Sequence, residues 1–321
     1  MNYKPIIIVA GEPNSIFLEI FFKALKYKKY KSPIILICSL KILNLQMKNF
    51  KINRKINILE ISRLKSYDLN NRAINLIDVN FNQKKVFKKI TNLSNQYIQN
   101  CFKVAFYLIK NKYSNKFING PISKKTFLDK KFLGITEFIA KEFSIKKSAM
   151  LIYNKELSVC PITTHLPLKF VSQNIKKTKI YEKVNLINQF YKKKFKINPR
   201  IGVLGLNPHC ETVDKFNEDE RIIKPIIKYF KKSKYNISGP LSADTAFLKK
   251  NRKNFDVLIG MYHDQVLTPI KTLFEYDAIN ITLGLPFIRI SPDHGPNEAM
   301  LGKNKSNPLS LIKAITFLDK T

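Results

Sequence analysis

Glycine is scarce in this 321-residue chain, ten in all, and none of them forms Gly-x-Gly-x-x-Gly or Gly-x-x-x-x-Gly-Lys-Ser/Thr. The two common glycine-built phosphate cradles are therefore excluded. Gly-x-Ser-x-Gly is missing as well, which argues against an α/β-hydrolase nucleophile elbow. The four cysteines, Cys38, Cys101, Cys160 and Cys210, include no Cys-x-x-Cys pair. They read as reduced, buried thiols of a cytosolic protein and not as zinc-ribbon ligands. No apolar run is long enough to cross a bilayer. Pro5–Ala10 is too short for a signal-peptide core and suits a first buried strand. The expectation is a cytoplasmic protein with no membrane partner.

Acidic residues are also few, 23 against 57 lysines and arginines, for a net charge of +34. Such a charge invites a basic, polyanion-binding protein without catalysis. The lysines, however, are scattered along the whole chain and make solvated faces everywhere, as an AT-rich coding composition would produce. No nucleic-acid-binding module signature accompanies them, so no specific nucleic-acid partner is expected. The charge does suit an anionic substrate. A hydrophobic content of 45% with 15 prolines indicates a folded chain long enough for two ordinary domains.

Apolar runs and helical periodicities alternate. Strands are expected at Pro5–Ala10, Pro33–Cys38, Lys116–Ile118, Met150–Tyr153, Leu157–Ile162, Arg200–Leu206, Phe255–Ile259 and Ala278–Leu283. Helices are expected at Ser15–Tyr27, Leu93–Lys110, Lys177–Phe195, Asp219–Phe230, Leu241–Lys249 and Pro308–Leu318. The Lys/Asn-rich stretch from Leu40 to Lys89 offers only weaker strands, near Asn57–Ile61 and Ala73–Val79. Strands alternating with helices imply an α/β fold with a mostly parallel sheet.

Only four histidines are present, and each sits in a turn-like context near Pro or Gly. His165, His209 and His263 each follow an expected strand, whereas His294 lies in Ser291-Pro-Asp-His-Gly295. Ligands of open α/β sheets sit beyond the carboxyl ends of strands. Three imidazoles at strand exits describe a catalytic divalent-metal site. The same placement is open to three hydrogen-bonded structural histidines. After the His263 strand come Lys271, along a turn, then Asn280 and Arg289. An ammonium, an amide and a planar guanidinium together suit a phosphate monoester. Lys271 reads equally as one more solvated lysine. Arg289 is set apart by its apolar run, Leu285-Pro-Phe-Ile-Arg-Ile290.

Five ordered segments carry a family resemblance: Thr163-Thr-His-Leu-Pro-Leu-Lys169, Gly205-Leu-Asn-Pro-His209, Gly239-Pro-Leu-Ser-Ala-Asp-Thr245, Met261-Tyr-His-Asp-Gln265 and Asn280-Ile-Thr-Leu-Gly-Leu-Pro-Phe-Ile-Arg289. Together with Gly11-Glu-Pro13 and Asn119-Gly-Pro121 they resemble the 4-hydroxythreonine-4-phosphate dehydrogenase family of vitamin B6 (pyridoxal phosphate) synthesis. The resemblance implies the two-domain isocitrate/isopropylmalate dehydrogenase-like fold, with the active site in the interdomain cleft of a homodimer. The expected domains are 1–125 plus 285–321, and 126–284, the latter carrying metal and dimer contacts. It implies a divalent metal (Zn, Mg, Co or Mn) on His165, His209 and His263, one imidazole being donated across the dimer. Thr136, Lys271, Asn280 and Arg289 match substrate-binding positions. His294, Gly295 and Asn297 are similar to the segment that binds the adenosine part of NAD or NADP.

The implied reaction oxidises 4-phosphooxy-L-threonine, a small phosphorylated hydroxy-amino acid, to a β-keto acid. That acid decarboxylates to 3-amino-2-oxopropyl phosphate. Asp244 and Asp264 are the nearest candidates to orient ligands or relay the proton, a helix-capping role being open to both. Where the family carries Gly-His-Thr-Glu, this chain has Gly134-Ile-Thr-Glu137. Ile135 neither donates a hydrogen bond nor carries charge. The alternative is thus a sister dehydrogenase acting on another phosphorylated four-carbon hydroxy acid.

Overall fold

Short runs rich in Ile and Val, most of them buried on both faces, become strands of a computed structural model that describes residues 3–123, 126–127, 134–213, 215–292 and 294–319. In chain order these are β1 (Ile6–Val9), β2 (Ile34–Cys38), β3 (Ile56–Ile58), β4 (Ile74–Asp78), β5 (Lys116–Asn119) and β6 (Ala149–Tyr153). There follow β7 (Ser158–Thr163), β8 (Ile201–Leu204), β9 (Ile237–Leu241), β10 (Val257–Tyr262), β11 (Ile279–Leu283) and β12 (Ile288–Pro292). The fold is α/β with a mixed, mostly parallel strand arrangement, as the alternating pattern implied. The chain groups into two compact units, residues 1–138 with 286–321, and residues 139–285.

In the first unit the strand order is β3-β4-β2-β1-β5-β12, and every pairing is parallel. The chain runs outward from β1 to one side, then returns to lay β5 on the other. That reversal is a topological switch point, and it puts the loops after β1 and β5 side by side at one sheet edge. Phe102 packs there with Phe106, Phe117, Phe127 and Phe138. Each ring taken out of water contributes roughly 1.5–3 kcal/mol.

In the second unit the order is β11-β6-β7-β10-β8-β9. β6 is antiparallel to both β11 and β7, while β7, β10, β8 and β9 run parallel. β10 is inserted between β7 and β8, although it comes last of the four in sequence. The carboxyl ends of β7, β10 and β8 therefore leave one edge as neighbours, each carrying one of the three strand-exit histidines. The core beneath them gathers Val159, Leu204, Leu258, Val266 and Ile270.

Several expectations are corrected. The Leu40–Lys89 stretch opens with a helix, Leu40–Asn49, capped by the Ser39 hydroxyl, which accepts from the Ile42 amide at 3.4 Å. β9 carries Gly239 and a cis Pro240, residues that disguise a strand, and it is tolerated because β9 is the terminal strand of its unit. The expected helix Leu241–Lys249 is instead the end of β9 followed by two single turns, Ala243–Ala246 and Lys249–Arg252. The expected helix Asp219–Phe230 is a wide π-turn, Asp219–Ile223, leading into an α-helix, Lys224–Lys232, and the wide turn stands just before Pro225, whose ring and missing N–H interrupt a regular α-helical ladder. β10 runs on through Gly260 to Tyr262, and His263 opens a helix, His263–Phe274. Lys271 is on that helix and not in a turn. A Cβ on Gly260 would lie 2.4 Å from the Val266 side chain, so only glycine lets the helix fold back so tightly.

Candidate active site

Each unit holds one group of the expected residues. In the second unit, Thr163 at the end of β7 is the register partner of Tyr262 at the end of β10. The Thr163 hydroxyl donates to the Met261 carbonyl at 2.8 Å and locks the two ends together. His165 and His263 leave these ends, and their ring centroids stand 5.9 Å apart. Two imidazoles that share a tetrahedral ion at about 2.0–2.1 Å bring their centroids to roughly 5 Å. Donor chemistry and spacing thus fit a divalent cation. His263 Nδ1 lies 2.6 Å from the Asp264 carboxylate, which leaves Nε2 as the free donor position.

His209 leaves β8, the other neighbour of β10, on a short exposed turn. Among the described residues no group of three His, Cys, Asp or Glu side chains closes around one point. The single chain therefore brings together two of the three expected imidazoles. Cys210, next to His209, is buried, and that burial, then the charge of Asp219, raises its thiol pKa, so it stays protonated.

The loop that carries His209 is tied from two sides. Gln265 donates through Nε2 to the Gly205 carbonyl at 2.8 Å, while its Oε1 accepts from the Met261 amide at 2.7 Å. On the other side lies Asp219, which the sequence reading missed. Its carboxylate accepts from the amides of Leu206 at 2.8 Å and Asn207 at 3.1 Å. A Cβ on Gly205 would come within 2.8 Å of that carboxylate and 2.7 Å of the Cys210 sulfur. In sequence, Asn217-Glu-Asp-Glu220 looks like a solvated helix start, and nothing local marks one of its carboxylates as wholly buried.

The remaining expected residues of this unit are dispersed. Asp244 is exposed in the turn Ala243–Ala246, and Lys271 is exposed on helix His263–Phe274. Asn280, on β11, is half-buried, and its Oδ1 is enclosed with no hydrogen-bond partner. An enclosed, unpartnered acceptor is a costly arrangement unless a donor arrives.

In the first unit, Arg289 on β12 is fully buried. Its Nε donates to Asn119 Oδ1 at 2.7 Å and its Nη1 to the Thr136 hydroxyl at 3.3 Å. Asn119 ends β5 at the carboxyl edge of the sheet, and Arg289, whose register partner on β5 is Phe117, reaches along that strand to it. Burial lowers the Arg289 pKa to about 10, the nearby Glu137 charge partly opposing it, so the guanidinium stays charged at neutral pH. The structure thus brings Thr136 and Arg289 together, with Asn119 as a third member.

At the same edge, the loop after β1 carries Glu12, which is buried and accepts from the Asn14 amide at 3.1 Å and the Ser94 hydroxyl at 2.8 Å. Burial raises its pKa, despite those hydrogen bonds. The loop is joined to the segment after β12 by the Ile16 amide, which donates to the Pro296 carbonyl at 3.1 Å. His294 Nδ1 lies 3.0 Å from the Gly295 carbonyl oxygen, and Asn297 adopts a left-handed φ of 51°. A Cβ on Gly295 would meet nothing within 4 Å, so the backbone there faces open space.

Comparison with known proteins gives a consistent picture. The family described as "Pyridoxal phosphate biosynthetic protein PdxA" matches residues 29–318. The 4-hydroxythreonine-4-phosphate dehydrogenase of Sulfurihydrogenibium sp. is 39% identical over 315 residues, covering 96% of this chain and 95% of the relative. The D-threonate 4-phosphate dehydrogenase of Salmonella typhimurium is 29% identical over 320 residues, covering 97% of each. The crystal structure of 4-hydroxythreonine-4-phosphate dehydrogenase from Klebsiella pneumoniae superposes with a TM-score of 0.84 at 26% identity, covering 98% of both chains.

Proposed function

Because the chain belongs to the pyridoxal phosphate biosynthetic protein PdxA family, we propose that it is an oxidoreductase acting on 4-phosphooxy-L-threonine. C3 loses its hydrogen as a hydride and the C3 hydroxyl loses its proton, giving 2-amino-3-oxo-4-phosphooxybutanoate. That β-keto acid loses CO2 to give 3-amino-2-oxopropyl phosphate. The hydride goes to NAD or NADP. The observation that carries the reading is the approach of His165 and His263 at the adjoining ends of β7 and β10.

His165 and His263 would hold a divalent cation such as Zn, Mg, Co or Mn, with His209 as the third donor. When bound, the cation supplies Lewis-acid polarisation of the substrate hydroxyl, and the nicotinamide supplies the hydride acceptor. The chain's own residues do the rest. Asp264 fixes the tautomer of His263 by its hydrogen bond to Nδ1. Arg289 and Thr136 bind the phosphate, the guanidinium offering a planar fork that a lysine lacks. Lys271 and Asn280 add an ammonium and an amide for the same substrate. Asp244 relays the hydroxyl proton towards water. His294, Gly295 and Asn297 hold the adenosine part of the cofactor, where the backbone at Gly295 is open to approach.

A homodimer completes the site by donating one imidazole across the interface. Supporting this, both histidine-bearing turns continue into exposed apolar side chains, Leu168 and Phe170 after His165, and Val213 and Phe216 after His209. Exposed apolar side chains beside both turns suit an association surface. The protein acts in the cytoplasm; among the described residues no helix is long and apolar enough to cross a membrane.

A second reading is favoured by Ile135 beside Thr136 and by the D-threonate 4-phosphate dehydrogenase relative. It replaces the C2 amino group of the substrate with a hydroxyl. A panel of 4-phosphooxy-L-threonine, D-threonate 4-phosphate and unphosphorylated 4-hydroxythreonine, assayed for NADH with metal present, separates the two. The first reading expects the amino substrate to give the highest kcat/KM and the unphosphorylated compound to give almost none. A preference for the C2 hydroxyl would move the activity to the sister reaction.

A further inference from the structure

We propose that Asp219 is the positioning residue that presents His209 to the metal, a role that rests on the reading of His209 as its third donor. Asp219 has 0% exposure, yet its carboxylate does not cap the first turn of its own helix. It reaches back along the chain instead. Oδ1 accepts from the Leu206 amide at 2.8 Å, and Oδ2 accepts from the Asn207 amide at 3.1 Å and the Asn207 Nδ2 at 3.0 Å. A second carboxylate, Glu218, accepts from the same Asn207 Nδ2 at 3.2 Å. Burying a charge is costly, and it persists where charge-assisted hydrogen bonds replace water.

The effort is spent on a loop whose end is strained. His209 has φ 52° and Cys210 φ 63°, both left-handed without being glycine. Such backbone persists only where its surroundings over-determine it. Here Asp219 clamps the two residues before Pro208, and the ring of Pro208 fixes the next φ. Gln265 holds the start of the loop at Gly205, from the helix that His263 opens. His209 is thus launched from a segment tied to the same strand end that carries His263. Replacing the carboxylate by an amide keeps the shape but points an NH2 group at a backbone N–H. The clamp then loses at least one bond and gains a donor–donor clash.

The test is calorimetric titration of the full chain with Co2+, on wild type, Asp219→Asn, His209→Ala and the double variant. Asp219→Asn should weaken Co2+ binding about 10–100-fold, the range for residues that orient ligands. It should also change the visible absorption of bound Co2+, which reports ligand geometry. The double variant should bind no more weakly than His209→Ala, because Asp219 acts through that imidazole. Unchanged affinity in Asp219→Asn, or an equal loss in both backgrounds, would overturn the proposal and leave Asp219 a merely structural residue. Unchanged affinity in His209→Ala is a different failure, since it removes His209 from the metal and the proposal with it. If circular dichroism shows Asp219→Asn unfolded, the same cycle is run with Asn207→Ala, which removes the side-chain amide that donates to Asp219 and Glu218 but keeps the two backbone amides on Asp219. That variant should show a smaller loss that also vanishes in the His209→Ala background, and its absence would overturn the proposal equally.

Discussion

His165 and His263 face each other at 5.9 Å because Thr163 and Tyr262 are register partners on adjoining parallel strands. Residues almost a hundred positions apart in sequence are made neighbours by the insertion of β10 between β7 and β8. Sheet topology, and no local motif, assembles the pair proposed to hold the metal.

Removing one of these rings should therefore uncouple metal binding from folding. His263 is part-exposed at the start of its helix, and its loss leaves the strand core beneath untouched. His263→Ala is expected to lose more affinity for divalent metal than the roughly 10–100-fold that ligand-orienting changes cost. Turnover should fall with it. The thermal midpoint of the metal-free protein should shift little, and calorimetry with metal titration checks both.

Arg289 makes a sharper case for geometry over charge. A lysine there would keep one positive charge but lose both the Nε bond to Asn119 and the fork that reaches Thr136. Arg289→Lys is expected to raise KM about 10-fold or more, with a smaller effect on kcat. The Asn119 oxygen, left without its donor, should cost about 1–3 kcal/mol of stability. Steady-state kinetics and a urea melt measure the two effects separately.

Glu12 supplies a pH signature. Burial raises its pKa in the folded chain above the ordinary carboxyl value. A group shifted in that direction binds its proton more tightly when folded, so its stabilising contribution is complete below the ordinary value and is lost as pH rises through the folded one. Glu12→Gln removes that titration while keeping an acceptor for the Asn14 amide. The variant is expected to melt at the same or a higher temperature than wild type at neutral pH. Its midpoint should also fall less as pH is raised from the carboxyl range. Thermal melts across pH check the sign.

Gly205→Ala tests the loop that carries His209. The new methyl would stand 2.7 Å from the Cys210 sulfur and 2.8 Å from the Asp219 carboxylate, both held in place. Overpacking of this kind costs typically about 1–3 kcal/mol. A lowered thermal midpoint together with weaker metal binding is the expected pair of results.

Much of this was legible in the sequence, for identifiable reasons. Ile6–Val9, Ile34–Cys38 and Ile279–Leu283 are apolar runs bounded by turn formers, and helix Lys177–Phe195 keeps a regular apolar spacing over its whole length. β9 and β12 were hidden because Gly, Pro and a buried Arg interrupt them, and sheet position decides whether such residues are tolerated. Helix His263–Phe274 was hidden by Pro269 in its interior. Among site residues, Thr136 and Arg289 were legible and do meet, whereas the contribution of Asn119 needed the β5–β12 pairing. Asp219 could not be read at all, because its partners lie 12 and 13 residues upstream across a turn.

The stoichiometry of CO2 release against NADH formation, with 4-phosphooxy-L-threonine and saturating metal, tests the central claim most directly. One CO2 per NADH is expected, with both abolished by a chelator and restored by added divalent metal. NADH without CO2, or no NADH from folded, metal-loaded protein, would contradict it.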